Sequence, residues 1–287
     1  MKQKTALITG ANSGIGKQAA IQLAQKGFHV LIGSRSRERG EKAVLDIKEQ
    51  SKSDSVEMVE LDLSSKQSII DASAMVSKKL TCLDVLIHNA ADFDISRKKP
   101  KQSVDGIETI WATNHIGPIL LTDSLLDLMK SSDQGRIITI ASQGLVMHPR
   151  LIVDIVDPEF KNRKFSVPKA YYQSKLAQVM YTYWLANELK ETKITVNCIR
   201  VTNVKIDTSK YPDISGFMKF LYSIKSKFSI SPAEMAITYT YLATDKSLVN
   251  TTGKYFNEKN QMVNSSKYSQ DKDHIEAVMN FSYQYLK

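Results

Sequence analysis

Tyr171 and Lys175 stand four residues apart in "AYYQSKLAQVMYTYWLANELK", residues 170–190. Four residues is one helical turn, so both project from one helix face. A free phenol titrates near about 10 and is a poor acid at neutral pH. A nearby ammonium stabilises phenolate and lowers that value. A phenol tuned in this way delivers a proton to a carbonyl oxygen while hydride arrives at the carbon. The same run also holds Tyr172 and Tyr181, so an ordinary amphipathic helix would show such a pair as well. Ser142, in "ASQG" after an apolar run, is a candidate second donor to the same oxygen, or a plain turn residue.

A second group of residues suits phosphate. In "ALITGANSGIGKQAAIQLAQKG", residues 6–27, Gly10, Gly14 and Gly16 separate an apolar run ending at Thr9 from a helical pattern of Ile15, Ala19, Ala20, Leu23 and Ala24. Glycine permits positive φ and lets a ligand approach bare backbone. The first turn of a helix offers unpaired N–H groups and the positive end of a dipole. A dinucleotide site without a 2′-phosphate usually keeps an acid after the second strand. Here Ser34 and Arg35 stand there, and a guanidinium pairs well with phosphate. Lys17 is a further candidate cation. Asp62, in "VELDLSS", either accepts from an adenine amino group or caps the next helix. Asn89, in "IHNAA", either admits a ligand beside small residues or makes a tight turn.

These residues follow one rhythm. Apolar runs of strand length occupy Thr5–Thr9, His29–Ile32, Val56–Leu61, Val85–His88, Arg136–Ala141 and Ile194–Ile199, with a short edge run near Gly253–Phe256. Helical patterns lie between them at 16–26, 37–51, 65–80, 106–130 and 171–190. Strands alternating with helices imply parallel pairing through right-handed crossovers. The expectation is one doubly wound α/β domain of Rossmann type, spanning 1–287, with helices on both faces of about seven mostly parallel strands. Ligands bind beyond the carboxyl ends of such strands. Gly10, Ser34, Asp62, Asn89 and Ser142 therefore share one rim.

Hydrophobic residues at 42% and charged residues at 24% fit a soluble globule. The net charge of +9 is spread along the chain; it attracts anions but accompanies no nucleic-acid motif. Cys82 and Cys198 read as small core residues, with no metal expected. With no signal peptide or transmembrane run in the sequence, a cytoplasmic location is expected.

In chain order the sequence holds Thr9-Gly10-x-x-x-Gly14-x-Gly16, Asn89-Ala90-Ala91, Asn114, Ser142 and Tyr171-x-x-x-Lys175. This conjunction resembles the short-chain dehydrogenase/reductase family over essentially residues 4–260. "TGANSGIGKQAA", "GSRS", "NHIGPILLT" and "YYQSKLAQVMY" look like its retinol dehydrogenase-like branch, which interconverts apolar carbonyls and alcohols. The resemblance implies that Tyr171 is the catalytic acid/base. It implies that Lys175 binds the nicotinamide ribose and lowers the Tyr171 pKa, Ser142 holds the substrate oxygen, and Asn114 supports a water chain to Lys175. The implied dinucleotide contacts are Gly10, Asn12, Ser13, Gly14, Ile15, Gly16, Ser34, Arg35, Asp62, Leu63, Asn89, Ala90, Tyr171, Lys175 and Val204. Arg35 and Lys17 lead to the expectation of NADP(H) over NAD(H); the subunit count stays open, and the resemblance implies a homodimer or homotetramer as possible states, since helices such as 106–130 and 171–190 often pair between subunits in this family.

Three departures stand out. His88 and Ala91 replace residues of the family's usual Asn-Asn-Ala-Gly. Ser142 and Tyr171 lie 29 apart, and the extra segment, about 147–169, reads as a substrate flap whose His148 is a loop residue. Val201-Thr202 stands where Pro-Gly is common, leaving Thr202 or Thr208 to meet the dinucleotide. Phe217, Met218, Phe220, Leu221, Ile224 and Phe228 fall in an expected substrate lid at about 203–230. A core helix or a lipid-facing helix are the other readings of that stretch. The main expectation is an NADP(H)-dependent oxidoreductase of apolar carbonyls and alcohols. The alternative, motivated by Val201-Thr202, is a catalytically weak or inactive NADPH-binding regulator on the same fold.

Overall fold

Seven short strands carry the site: Thr5–Thr9 (β1), His29–Ser34 (β2), Val56–Glu60 (β3), Val85–His88 (β4), Gly135–Ser142 (β5), Ile194–Val201 (β6) and Lys254–Phe256 (β7). They form one sheet in the order β3-β2-β1-β4-β5-β6-β7, and every pairing is parallel. The computed structural model describes residues 2–205 and 229–287. Thr208 and the apolar residues from Phe217 to Phe228 lie outside the described residues. So does most of the expected lid.

The central strands are buried along nearly their whole length, because helices cover both faces. That is why they read as continuous apolar runs rather than alternating ones. One face carries Gly14–Gln25 (α1), Arg37–Ser51 (α2) and, later in the chain, Pro232–Thr244. The other carries Lys66–Lys79 (α3) and a composite helix, α4. In α4 a short turn, Thr109–Trp111, continues through a π-helical turn, Ala112–Ile116, into Gly117–Lys130. Val167–Glu188 (α5) packs beside α4. Strand order reverses between β1 and β4, which opens a crevice at their carboxyl ends.

Two helix starts differ from the sequence pattern by more than two residues. α5 starts at Val167, four residues before Tyr171, because Pro168 sits in its first turn where no N–H is needed. The 106–130 pattern becomes helical only at Thr109, where the buried Glu108 carboxylate accepts from the amides of Ile110 and Trp111 at 2.9 and 3.0 Å. Among the described residues, three further α-helices lack a counterpart in the pattern: Pro232–Thr244 (α6), Lys267–Gln270 (α7) and Lys272–Tyr283 (α8). Of these, α6 is announced by a capping box, Ser231 with Glu234, and by Pro232.

The α8 helix lies across α5. Its Tyr283 ring sits 5.3 Å from that of Trp184, and Ser282 Oγ shares a 2.7 Å hydrogen bond with His115 Nε2. Most of α5 is consequently buried on every side. Subunit pairing through α5 would have to displace α8 or use the little it leaves exposed.

The expected flap is folded down. Asp157 accepts from the amides of Lys161, Asn162 and Arg163 at 2.7, 3.0 and 3.1 Å. Arg163 lies 3.8 Å over the Phe160 ring and donates to Gln173 of α5 at 2.8 Å. Phe160 and Phe165 pack with Ile110, Val167 and Tyr171. No described helix is long and apolar enough to cross a membrane.

Candidate active site

The crevice beyond β1 and β4 is a cleft of about 810 Å³. All the expected dinucleotide contacts line it except Gly16, Tyr171 and Lys175. Gly10 and Gly14 take φ of +64° and +60°, conformations that cost an L side chain about 1–2 kcal/mol. A Cβ on Gly10 would also stand 2.8 Å from the Ala90 Cα. Ser13 begins α1 without a side-chain cap, and the first turn holds no acid. Its N–H groups are left for an anion in the cleft.

Gly16 acts at one remove. A Cβ there would strike the Asn89 side chain. Asn89 Nδ2 donates to the carbonyls of Thr9 and Gly10 at 2.9 and 3.3 Å, and its Oδ1 accepts from the Tyr239 hydroxyl at 3.2 Å. Ala90 N–H donates to Thr9 Oγ1 at 3.0 Å. Asn89 therefore fastens the end of β4 to the glycine loop while also lining the cleft.

At the β2 end of the cleft Ser34 is buried and Arg35 is exposed. The expectation for Lys17 is corrected: its ammonium pairs with Asp46 at 2.7 Å and is absent from the cleft. Arg37 is likewise held by Glu60 at 2.9 Å. Arg39 takes the place given to Lys17. It lines the cleft with Arg35, and neither guanidinium has a partner among the described residues. Its spacing, one turn after Arg35, was the signal in the sequence. Lys205 also lines the cleft without having been anticipated. Asp62 does not cap α3. Its Oδ1 accepts from Ser64 N–H and Oγ at 2.9 and 2.7 Å, and Ser65 makes the cap. The set fits a nicotinamide dinucleotide: bare glycine backbone and free N–H groups for a pyrophosphate, and two unpaired cations at the adenosine end.

Tyr171, Ser142 and Lys175 are brought together at the rim past β5. The Ser142 side chain lies beside the Tyr171 phenol and opposes part of the rise in its pKa. The Phe93 ring lies 4.3 Å from that of Tyr171. Lys175 Nζ is 5.7 Å from the Tyr171 ring centre and donates to the Ile140 carbonyl at 2.9 Å. Burial lowers the Lys175 pKa to about 8. The expected depression of Tyr171 is overturned, since burial, with Tyr172 beside it, pushes the phenol up to about 12. The physical reason lies in the order of titration. Lys175 is already neutral at the pH where this phenol ionises, so its charge is no longer there to help. At neutral pH Tyr171 is protonated and Lys175 charged.

Asn114 sits on the π-helical turn of α4, a distortion frequent at functional sites. It donates to the Asp92 carbonyl at 3.1 Å and to Ser174 Oγ at 3.0 Å, and accepts from Asp92 N–H at 2.6 Å. Ser174 Oγ donates in turn to the Tyr171 carbonyl at 2.7 Å. Asn114 is therefore joined to the tyrosine's helix by one intervening side chain.

The departures have local explanations. His88 Nε2 shares a 2.8 Å hydrogen bond with Thr122 Oγ1, and burial pushes its pKa down to about 3, so it is neutral. Thr202 Oγ1 donates to Gln143 Oε1, which ties the turn after β6 to the turn after β5. Val204 bridges to Ile230. His148 packs its ring 4.8 Å from Tyr172.

Sequence and structure comparisons agree with this arrangement. A family model described as short chain dehydrogenase matches residues 4–153. Retinol dehydrogenase 13 of Homo sapiens is 34% identical over 256 residues, 88% of this chain and 76% of that protein. Retinol dehydrogenase 14 of Homo sapiens is 33% identical over 272 residues, 90% of this chain and 79% of that one. Among solved structures, an uncharacterised protein of Mycobacterium paratuberculosis superposes with a TM-score of 0.74 at 25% identity, covering 99% of this chain and 93% of its own. A short chain dehydrogenase of Escherichia coli CFT073, crystallised with NADPH, gives 0.68 at 22% identity and shares the fold, over 90% and 98% of the two chains. The chain belongs to the short-chain dehydrogenase/reductase family. Within it the chain falls in the retinol dehydrogenase-like branch, and it is an NAD(P)-dependent oxidoreductase acting on CH–OH groups.

Proposed function

We propose that the chain is an NADP(H)-dependent reductase of apolar aldehydes or ketones, with Tyr171 as the proton donor. One observation carries this reading: a protonated phenol with the Ser142 side chain beside it, at the rim of a cleft suited to a dinucleotide. The bound dinucleotide supplies the hydride. Tyr171 gives its proton to the alkoxide developing on the substrate oxygen, and the Ser142 hydroxyl stabilises the same charge. Lys175, charged at neutral pH, favours negative charge on the tyrosine oxygen as the proton leaves. Asn114 holds the backbone of Asp92 and, through Ser174, the turn of α5 that bears Tyr171.

The preference for the 2′-phosphorylated cofactor is supported by Arg35 and Arg39, both without partners among the described residues, beside Ser34 where an acid would otherwise stand. Apolar substrate bulk is supported by Phe93, Phe160 and Phe165 around Tyr171. The names of the retinol dehydrogenases point the same way. Both cysteines are buried free thiols, in keeping with the reducing cytosol.

The test pairs binding with turnover. Tyr171→Phe should bind NADPH with a Kd within about twofold of wild type, yet lose retinal reduction by about 10²–10⁴-fold. Retinal is the aldehyde corresponding to retinol. Wild-type-like turnover in that variant would overturn the mechanism. Tight NADPH binding with no consumption across a panel of aldehydes and ketones would favour the regulator instead.

A further inference from the structure

We propose that Arg97 is a positioning residue: its guanidinium clamps the loop after β4 onto the start of α4 and so holds Phe93 against the ring of Tyr171. The inference rests on the reading of Tyr171 as proton donor. Arg97 Nη2 donates to both oxygens of Asp92 at 3.0 and 2.9 Å, and Nη1 donates to Thr109 Oγ1 at 2.8 Å. Nη1 also lies 3.6 Å from Glu108 Oε1. One side chain, only 16% exposed, thus joins the first residues of the loop to two residues at the opposite end of it.

The clamp leads to the reacting group by two short routes. Asp92, held by Arg97 through its carboxylate, is held through its backbone by Asn114, which reaches Ser174 and the Tyr171 carbonyl. Phe93, the next residue, lies against the Tyr171 ring. A third strand of support comes from the folded-down segment, where Glu159 accepts from Glu108 N–H at 2.8 Å and from the Tyr285 hydroxyl at 3.0 Å.

The guanidinium is suited to this task because its planar fork meets a carboxylate with two bonds in a fixed geometry, which an ammonium does not. Without it, the Asp92 carboxylate loses its cation and Thr109 its donor, and Glu108, already raised to about 7 by burial, takes up a proton. Removing one partner from a buried ion pair leaves an uncompensated charge. The loop, no longer tied to the start of α4 and with Asp92 drawn to water, then moves outward, and Phe93 moves with it.

The experiment compares Arg97→Met and Arg97→Lys with wild type. One arm is NMR of ring-labelled tyrosine, with the Tyr171 signals assigned by their absence in Tyr171→Phe. In wild type they carry the ring-current displacement from Phe93. In Arg97→Met that displacement should vanish, and in Arg97→Lys it should survive in part. The other arm is kinetic. In Arg97→Met, kcat for retinal reduction should fall about tenfold or more while the Kd for NADPH stays within about twofold; Arg97→Lys should lie between. An unchanged Tyr171 signal in folded Arg97→Met, or a kcat within twofold of wild type, overturns the proposal. So does an Arg97→Lys variant no better than Arg97→Met. If wild type itself reduces no aldehyde, the functional reading fails, while the ring-current arm still decides whether Arg97 holds Phe93 in place.

Discussion

Raising the pH past about 8 should switch off carbonyl reduction without unfolding the protein. Lys175 falls from an ordinary 10.5 to about 8 because burial opposes its charge, a penalty of about 3 kcal/mol. Its ammonium lies 5.7 Å from the Tyr171 ring centre. With an effective dielectric constant of about 20, a unit charge at that distance stabilises a developing negative charge by about 3 kcal/mol, roughly a hundredfold in rate. Above about pH 8 the charged fraction drops tenfold per pH unit. Reduction should therefore decline with that slope toward a floor about two decades down. Tyr171, held up to about 12, stays protonated throughout and cannot produce the decline. The stability sign is opposite. Between about 8 and 10.5 the unfolded chain binds the Lys175 proton and the folded chain does not, so this group adds stability as pH rises. The assay is initial-rate reduction of retinal at saturating NADPH from about pH 6 to 10, with thermal unfolding followed in the same buffers. Lys175→Met should start about a hundredfold lower and lack the descending limb. A wild-type rate that stays level past about pH 9, or a Lys175→Met profile that keeps the limb, would refute the reasoning.

Two further outcomes follow from single side chains. Arg35→Ala should raise the Kd for NADPH about tenfold, the worth of one exposed charge-assisted contact, and leave that for NADH unchanged; fluorescence titration with both cofactors checks it, and an equal loss for both removes the phosphate assignment. His88, pushed down to about 3, binds fewer protons folded than unfolded, so acidification from about 6.5 toward 3 costs stability, about 3 kcal/mol by pH 4.5. His88→Asn should flatten that loss in urea titrations. Glu108, raised to about 7 by burial, favours the fold on acidification in both proteins, so the difference between them is the readout. Identical pH dependence would show that His88 is not the group responsible.

The rim was legible because its residues end buried parallel strands, and such strands read as unbroken apolar runs whose last residue is easily seen. Gly10, Ser34, Asp62, Asn89 and Ser142 all fall where that logic puts them. Charge partnerships were not legible. Lys17 looks as free as Arg35 in the sequence, but its partner Asp46 is 29 residues away, on α2. The pairing exists only because α1 and α2 pack side by side. The Tyr171 pKa was misjudged for a related reason. Helical spacing places Lys175 on the right face, but burial acts on both groups, and the sequence does not say which will titrate first. Arg97 carries no motif at all. Its role depends on a loop closing so that Asp92 and Glu108 meet one guanidinium.

The exchange of Pro-Gly for Val201-Thr202 was the chief reason to doubt turnover, and the structure gives it a different meaning. A proline stiffens a turn through its ring, whereas a threonine must find a hydrogen-bond partner to do the same. Thr202 finds Gln143, the residue directly after Ser142. Ser142 is itself in register with Val201 across β5 and β6, so backbone pairing and a side-chain bond now fix the same two strand ends. The Ser142 hydroxyl accepts from Gly144 N–H at 3.2 Å, in a turn where Tyr172 fills the space beside Gly144. The substitution therefore transfers rigidity from one turn to the link between two, with the serine that faces Tyr171 inside that link. The exchange of Pro-Gly therefore leaves the turn beside Ser142 tied, and by itself gives no ground for a loosened site.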